Sequence, residues 1–219
     1  MRPIIFCDFD GTITESDNII SLMKEFGPEG WRDLADAVLN KKISISEGVG
    51  KMFSLLESSK KDEIIRFVES NAVIRPGFRE FTGFAKEQNI PFYVVSGGID
   101  FFVEPMLKPF NGIAGVYCNR ASFKKDYIEV EWPHSCDSSC SKACGCCKPS
   151  IMRSIASEKE FKIVIGDSIT DLEAAKIADL VIARDYLSER CAEEGIPYHP
   201  FTTFYDCMEI VAIELGAAV

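Results

Sequence analysis

Three apolar runs in this chain each stop at residues that a buried strand carries poorly. Ile4-Ile5-Phe6-Cys7 runs into Asp8-Phe9-Asp10-Gly11-Thr12, Ile90-Pro91-Phe92-Tyr93-Val94-Val95 into Ser96-Gly97-Gly98, and Phe161-Lys162-Ile163-Val164-Ile165 into Gly166-Asp167. Short apolar runs of this kind read as strands covered on both faces, the habit of parallel sheets. In an open parallel sheet, ligands bind beyond the carboxyl ends of the strands. Asp8, Ser96 and Asp167 are therefore expected to converge there.

The rest of the pattern agrees with such a sheet. Residues 17–69 read as helical, with Leu34, Ala35, Val38 and Leu39 forming one stripe and Ile64, Ile65, Phe67 and Val68 another, the latter capped by Ser59. Arg75-Pro76-Gly77 punctuates the chain. Beyond it, helices at 78–86, 101–107, 150–157, from about 170, and 206–215 alternate with strands at 90–95, 113–118, 161–165 and 180–183. The alternation predicts an α/β fold, a Rossmann-like parallel sheet with helices on both faces. Residues 121–123 and 127–132 flank Lys124-Lys125-Asp126 as a β-hairpin insertion.

Composition narrows the partners. With 219 residues and 47% hydrophobic content, the chain suits one sizeable domain with a small insert. A net charge of −10 without a dense basic run disfavours nucleic acid and anionic membranes as partners. No stretch approaches the roughly 20 apolar residues of a membrane span. Asp8 interrupts the first apolar run too early for a secretory leader, so the expected compartment is the cytoplasm. The nine cysteines are then expected reduced or metal-bound.

Asp8 and Asp10 at one strand end repel each other unless a cation neutralises them. Asp167 adds to the same field, and Asp171, four residues on, falls on the same face of a starting helix. Such oxygen ligands suit Mg²⁺, which commonly shares a substrate phosphate. Ser96 offers a hydroxyl, Gly97 an unobstructed backbone N–H and Lys148 a point charge for phosphate oxygens. This apparatus fits hydrolysis of a small phosphate monoester. Asp8 is the expected nucleophile, forming an aspartyl-phosphate, and Asp10 the acid and base, which requires a raised pKa.

The ordered set resembles the haloacid dehalogenase-like phosphohydrolase superfamily. Asp8 to Thr12 match its Asp-x-Asp-Gly-Thr motif, Ser96 its hydroxyl motif, Lys148 its lysine and Gly166 to Asp171 its Gly-Asp-x-x-x-Asp motif. Lys148, at a helix start, fits the lysine position better than nearby Lys142. The resemblance implies a core at 1–14 and 76–219, and a helical cap at 15–75 that closes over substrate. It implies Mg²⁺ held by Asp8, Asp10 and Asp167, with Asp171 acting behind them. Val116 to Arg120 and the hairpin resemble the phosphoserine-phosphatase-type branch. Asn18-Ile19-Ile20, Glu47 to Gly50, Trp132 to Cys136 and Cys144 to Pro149 narrow the likeness to an enzyme whose substrate carries a thioether tail. Phe26, Trp31, Met52 and Phe53 are the apolar cap residues available to such a tail, although residues of this kind more often pack the cap itself.

Rival readings share parts of this set. A phosphoserine or sugar-phosphate phosphatase, or a phosphomutase of the same superfamily, would use the same Asp8 and Asp10. A non-enzymatic receiver-like domain also gathers acids, a hydroxyl and a lysine, but needs neither Asp10 nor a helical insert. Cys136, Cys140, Cys144, Cys146 and Cys147 form a separate cluster, with His134 nearby. Four thiolates could hold a structural Zn²⁺, although the paired C-x-x-C knuckles of common zinc modules are missing. Disulfides and free thiols are the alternatives.

Overall fold

A computed structural model describes residues 1–140 and 142–216. Its centre is β1 (Arg2–Cys7), whose side chains alternate between two layers. Ile5 and Cys7 enter the larger core, and Ile4 and Phe6 a second core on the opposite face. That two-sided burial explains the uninterrupted apolar run.

Around it lie β2 (Phe92–Ile99), β3 (Ile113–Ser122), β4 (Glu129–Glu131), β5 (Glu160–Gly166), β6 (Leu180–Ala183) and β7 (His199–Pro200). The order is β4-β3-β2-β1-β5-β6-β7, and every pair is parallel except β3 with β4. Cys7 is level with Val94 on one side and Ile165 on the other. The residues that follow each of these three therefore emerge at one edge. The antiparallel β3–β4 pair is the expected hairpin. Ser96-Gly97-Gly98 does not form a simple turn: it lies within β2, where the pairing with β3 shifts register between Val95 and Ile99. Such an irregularity releases backbone groups from the ladder and re-aims side chains.

Four helices fill the segment between β1 and Arg75: α1 (Asn18–Phe26), α2 (Trp31–Leu39), α3 (Ile45–Phe53) and α4 (Lys61–Asn71). Asp17 caps α1 and Ser44 caps α3 through bonds to Ile20 N and Glu47 N. Ser59 is not a cap. Its hydroxyl bonds Glu57, and α4 is entered through a 3₁₀ turn at Ser58–Lys60. The two strands of chain that join this segment to the sheet pair with each other, Thr14 opposite Ile74.

The apolar residues singled out for a substrate tail pack into the core. Phe53 is fully buried and meets Phe101 edge-on at 6.3 Å, Trp31 and Met52 belong to the same core, and Phe26 packs on Phe67 at 5.4 Å. Burying large apolar groups outweighs reserving them for a tail.

The remaining helices are α5 (Phe78–Glu87), α6 (Asp100–Leu107), α7 (Lys148–Ile155), α8 (Leu172–Ala175), α9 (Asp185–Glu194) and α10 (Phe204–Leu215). The Phe81 ring meets Phe92 at 5.7 Å and Phe204 at 5.4 Å, seating α5 and α10 on the sheet. The ten-residue α9 and the two-residue β7 were not legible in the apolar pattern.

Arg75 locks the crossing point. It is buried, and its guanidinium donates to the carbonyls of Thr12 (2.7 Å), Gly11 (2.8 Å), Thr14 (3.3 Å) and Thr202 (3.2 Å). Arg75→Met keeps the apolar stem and strands those carbonyls. It is expected to cost about 3 kcal/mol of stability, read as a lower urea midpoint. An unchanged midpoint would contradict this role.

Candidate active site

Asp8 follows β1 directly, and its N–H donates to Ile165 O at 2.9 Å, which ties it to the end of β5. Its Oδ1 accepts the Phe9 N–H at 2.8 Å. Its Oδ2 lies 2.7 Å from Lys148 Nζ, and the same ammonium lies 2.5 Å from Asp171 Oδ1. All three side chains are at least 94% buried. The free Lys148 charge is thus shared between the end of β1 and the turn after β5.

The chain beyond Asp8 turns sharply through Gly11, at φ +79°. A side chain there would meet Asp167 Oδ2 at 2.3 Å, so glycine is needed for both its conformation and its closeness. Thr12 then donates its hydroxyl to Asp167 Oδ1 at 2.5 Å. Carboxylate oxygens of Asp8, Asp167 and Asp171 lie within 4.8 Å of one another. Asp171, expected to act behind the other acids, contributes to this group. It is also the most heavily bonded of them, with Oδ2 accepting from Ser168 N (3.0 Å), Ser168 Oγ (3.1 Å) and Asp167 N (3.3 Å).

The carboxylate of Asp10 lies outside this group. Its Oδ1 is held by Asn18 at the start of α1, through the backbone N–H (3.0 Å) and the side-chain amide (2.7 Å). Its Oδ2 faces Ser96 Oγ at 3.4 Å. Ser96 in turn accepts the Gly98 N–H at 2.8 Å. A side chain at Gly98 would reach 2.8 Å from Asp10 Oδ2 and 3.0 Å from Ser96 Oγ, so this glycine keeps the space between them. Gly97 opens onto free space, and its carbonyl accepts from Asn119 Nδ2 at 2.8 Å.

Crowding acids in a buried place raises their pKa values. Burial pushes Asp10 up to about 7, with the charge of Asp17 adding to it. Asp167 also rises to about 7, from burial and then from Asp171. Asp8 is raised by burial and by Asp171, and Lys148 pulls against that. Burial alone would lower Lys148, but Asp171 and Asp8 outweigh it and hold the ammonium charged. An all-oxygen acidic donor set of this kind fits Mg²⁺.

The fold brings Asp8, Asp10, Ser96, Gly97, Lys148, Asp167 and Asp171, all singled out in the sequence, to one edge. The supporting roles of Thr12, Asn18, Arg75 and Asn119 were not legible there. All four stood inside stretches already singled out, but the carbonyls that Arg75 and Asn119 bind are brought near only by the fold.

A family model described as haloacid dehalogenase-like hydrolase matches residues 5–176. The chain belongs to that family. A Lysinibacillus sphaericus protein named 2-hydroxy-3-keto-5-methylthiopentenyl-1-phosphate phosphatase is 52% identical over 96% of this chain and 94% of its own. A Geobacillus thermodenitrificans protein of the same name is 54% identical over 94% of each. A Bacillus licheniformis bifunctional enzyme MtnB/MtnX is 53% identical over 96% of this chain, which spans 49% of that protein. A solved phosphoserine phosphatase in its substrate-bound complex superposes with a TM-score of 0.73 at 20% identity, over 96% of this chain and 98% of its own. This haloacid dehalogenase-like hydrolase is a phosphoric monoester hydrolase. Phosphatases of the family use Mg²⁺. No described helix is long and apolar enough to cross a membrane.

Away from this edge, the sulfurs of Cys136, Cys140, Cys144 and Cys147 lie within 4.8 Å of one another. Cys146 is not with them. It is buried beneath β3, its thiol directed to Tyr117 O at 3.7 Å. His134 also stays apart, its ring edge-on to Tyr117 at 5.2 Å.

The Lys148 bridge makes a stability prediction. Lys148→Met removes the only described cation in contact with Asp8 and is expected to cost about 3–5 kcal/mol, since two buried carboxylates lose their partner. Lys142→Met, at an exposed lysine, should leave the urea midpoint in place. Equal midpoints for the two variants would contradict the bridge.

Proposed function

We propose that this chain hydrolyses 2-hydroxy-3-keto-5-methylthiopentenyl-1-phosphate in methionine salvage, acting in the cytoplasm. The substrate is supported by relatives of that name that match nearly the whole chain at 52–54% identity. The observation that carries the chemistry is the contrast between two acids at one strand end. Asp8 is held between Lys148 and the acidic group, while Asp10 is set aside against Asn18 and Ser96.

An Asp8 oxygen attacks phosphorus as the ester P–O bond breaks. The leaving oxygen takes the bonding pair and then a proton from Asp10. Water next attacks the aspartyl-phosphate, Asp10 takes its proton, and the bond between phosphorus and Asp8 breaks to free inorganic phosphate. Lys148, the Ser96 hydroxyl and the Gly97 N–H receive the phosphoryl oxygens. Asp8 and Asp167 would hold Mg²⁺, and Asp171 fixes Lys148 and the turn that carries Asp167. When bound, Mg²⁺ offsets the charge of the acids and of the phosphoryl oxygens.

Residues 1–14 and 76–219 form the catalytic core, and residues 15–75 act as a cap that opens to admit substrate. The burial of Asp8 and Lys148 supports such an opening. The four-sulfur cluster takes no part in the reaction and forms a second metal centre, for Zn²⁺.

Asp8→Asn is expected to keep the unfolding curve and lose phosphate release on the methylthio substrate, because an amide is a poor nucleophile. Near-native turnover would exclude the mechanism. Excess chelator is expected to stop wild-type turnover and added Mg²⁺ to restore it. Asp167→Asn should raise the Mg²⁺ concentration for half-maximal rate by about 10-fold or more. Full activity in chelator would rule out the metal requirement. In a panel with phosphoserine and sugar phosphates, the methylthio ester should have the highest kcat/KM, and a preference for phosphoserine would overturn the substrate assignment.

A further inference from the structure

Residues 132–147 join β4 to α7 without a regular element among the described residues. A long connection inside a packed domain needs something to order it. Its sequence, Trp132-Pro133-His134-Ser135-Cys136-Asp137-Ser138-Ser139-Cys140 onward to Cys147, offers little apolar surface apart from Trp132 and its cysteines. Yet this loop does two things that demand precision. It delivers Lys148, the first residue of α7, to Asp8 and Asp171. It also docks on α3, where Ala143 O accepts from Ser46 N at 3.3 Å and from Ser46 Oγ at 3.0 Å. Between the two runs a cavity of about 380 Å³, lined by Ser46, Trp132, Ser135, Cys136, Ala143 and Gly145.

We infer that Cys136, Cys140, Cys144 and Cys147 form a tetrahedral Zn²⁺ site that orders this loop and thereby positions Lys148. Zn–S bonds of about 2.3 Å put the sulfurs of a tetrahedron about 3.8 Å apart, which the observed clustering within 4.8 Å accommodates. A disulfide would instead draw sulfurs together in pairs at about 2.05 Å, and none of the cysteines is paired. Cys144 and Cys147 stand at C-x-x-C spacing, while Cys136 and Cys140, with three residues between them, come from the earlier part of the same loop. Soft thiolates select zinc over the hard cation suited to the carboxylate group.

The surroundings fix the sulfurs as second partners do at metal sites. Ser150 on α7 donates to Cys147 Sγ at 3.0 Å and accepts the Asp137 N–H at 3.0 Å. Asp137 is clamped by Arg153 through two bonds, at 2.8 and 2.7 Å, and its carbonyl accepts the Cys140 N–H at 3.2 Å. The Cys147 N–H donates to His134 O at 2.8 Å. Zinc binding by four thiols releases their protons and contributes its affinity to folding of the loop. The metal assignment rests on the cysteines alone. The effect on Lys148 rests on the proposed phosphate-binding role of that residue.

The test uses the full chain, purified under reducing conditions, with its metal measured by elemental analysis and Co²⁺ substitution as a spectroscopic probe. One zinc per chain is expected in wild type and in Asp167→Asn, and none in Cys136→Ser or Cys140→Ser. Cobalt should give the thiolate charge-transfer and d–d bands of a tetrahedral sulfur site. Binding of inorganic phosphate should weaken about 10-fold in Cys140→Ser at unchanged circular dichroism, with the Mg²⁺ requirement unchanged. A chain that after zinc addition holds no metal and titrates nine free thiols, one with a disulfide among these four, or one that takes iron instead would overturn the site. Zinc lost without any change in phosphate affinity would overturn the positioning of Lys148. Loss of zinc in Asp167→Asn would overturn the separation of the two centres.

Discussion

A single buried ammonium holds the architecture of this site together. Lys148 reaches from the start of α7 to Asp8 after β1 and to Asp171 in the turn after β5. Three separate lengths of chain meet at one charge. Taking an ion pair out of water costs several kcal/mol per ion, so the arrangement persists only because each remaining oxygen is also bonded. Asp8 receives Phe9 N–H, and Asp171 receives two backbone N–H groups and a hydroxyl. The same requirement explains Thr12 against Asp167 and the glycine that allows the approach. The acids are tolerated at the strand ends because a cation, hydroxyls and backbone amides meet them there.

The division of labour between the two acids of the first motif follows from their neighbours. Asp8 lies in the field of Lys148, Asp167 and Asp171. Asp10, two residues on, is turned away from Lys148 and received by Asn18 and Ser96, while burial and then the charges of Asp17 and Asp167 still raise its pKa. The wall on that side is α1, which meets Asp10 through the backbone N–H and side-chain amide of Asn18.

Much of this was legible before the structure. A buried parallel strand leaves a plain signature, an apolar run with a polar residue where the sheet ends, and β1, β2 and β5 all carry it. The site residues at those ends were readable for the same reason. Arg75 and Asn119 were not, because each binds backbone carbonyls brought near by the tertiary fold, and a carbonyl leaves no trace in residue types. The apolar residues of α2 and α3 were ambiguous, since a core and a ligand pocket ask for the same side chains; Phe53 and Met52 resolve as core. Among the cysteines, spacing alone could not separate Cys146, which turns inward beneath β3, from the four whose sulfurs meet. Ser59 had the right chemistry for a cap, but the 3₁₀ turn displaced the helix start past it.

In the proposed reaction Asp8 carries the phosphoryl group during turnover. This role is tested most directly by rapid quench of the Asp10→Asn variant with the methylthio substrate, followed by mass spectrometric mapping of the phosphorylated peptide. One phosphoryl group per chain is expected, on Asp8, labile to hydroxylamine as an acyl phosphate, and decaying more slowly than in wild type. Phosphate on another residue, or burst-free release with no phosphorylated chain at any quench time in either protein, would contradict this role.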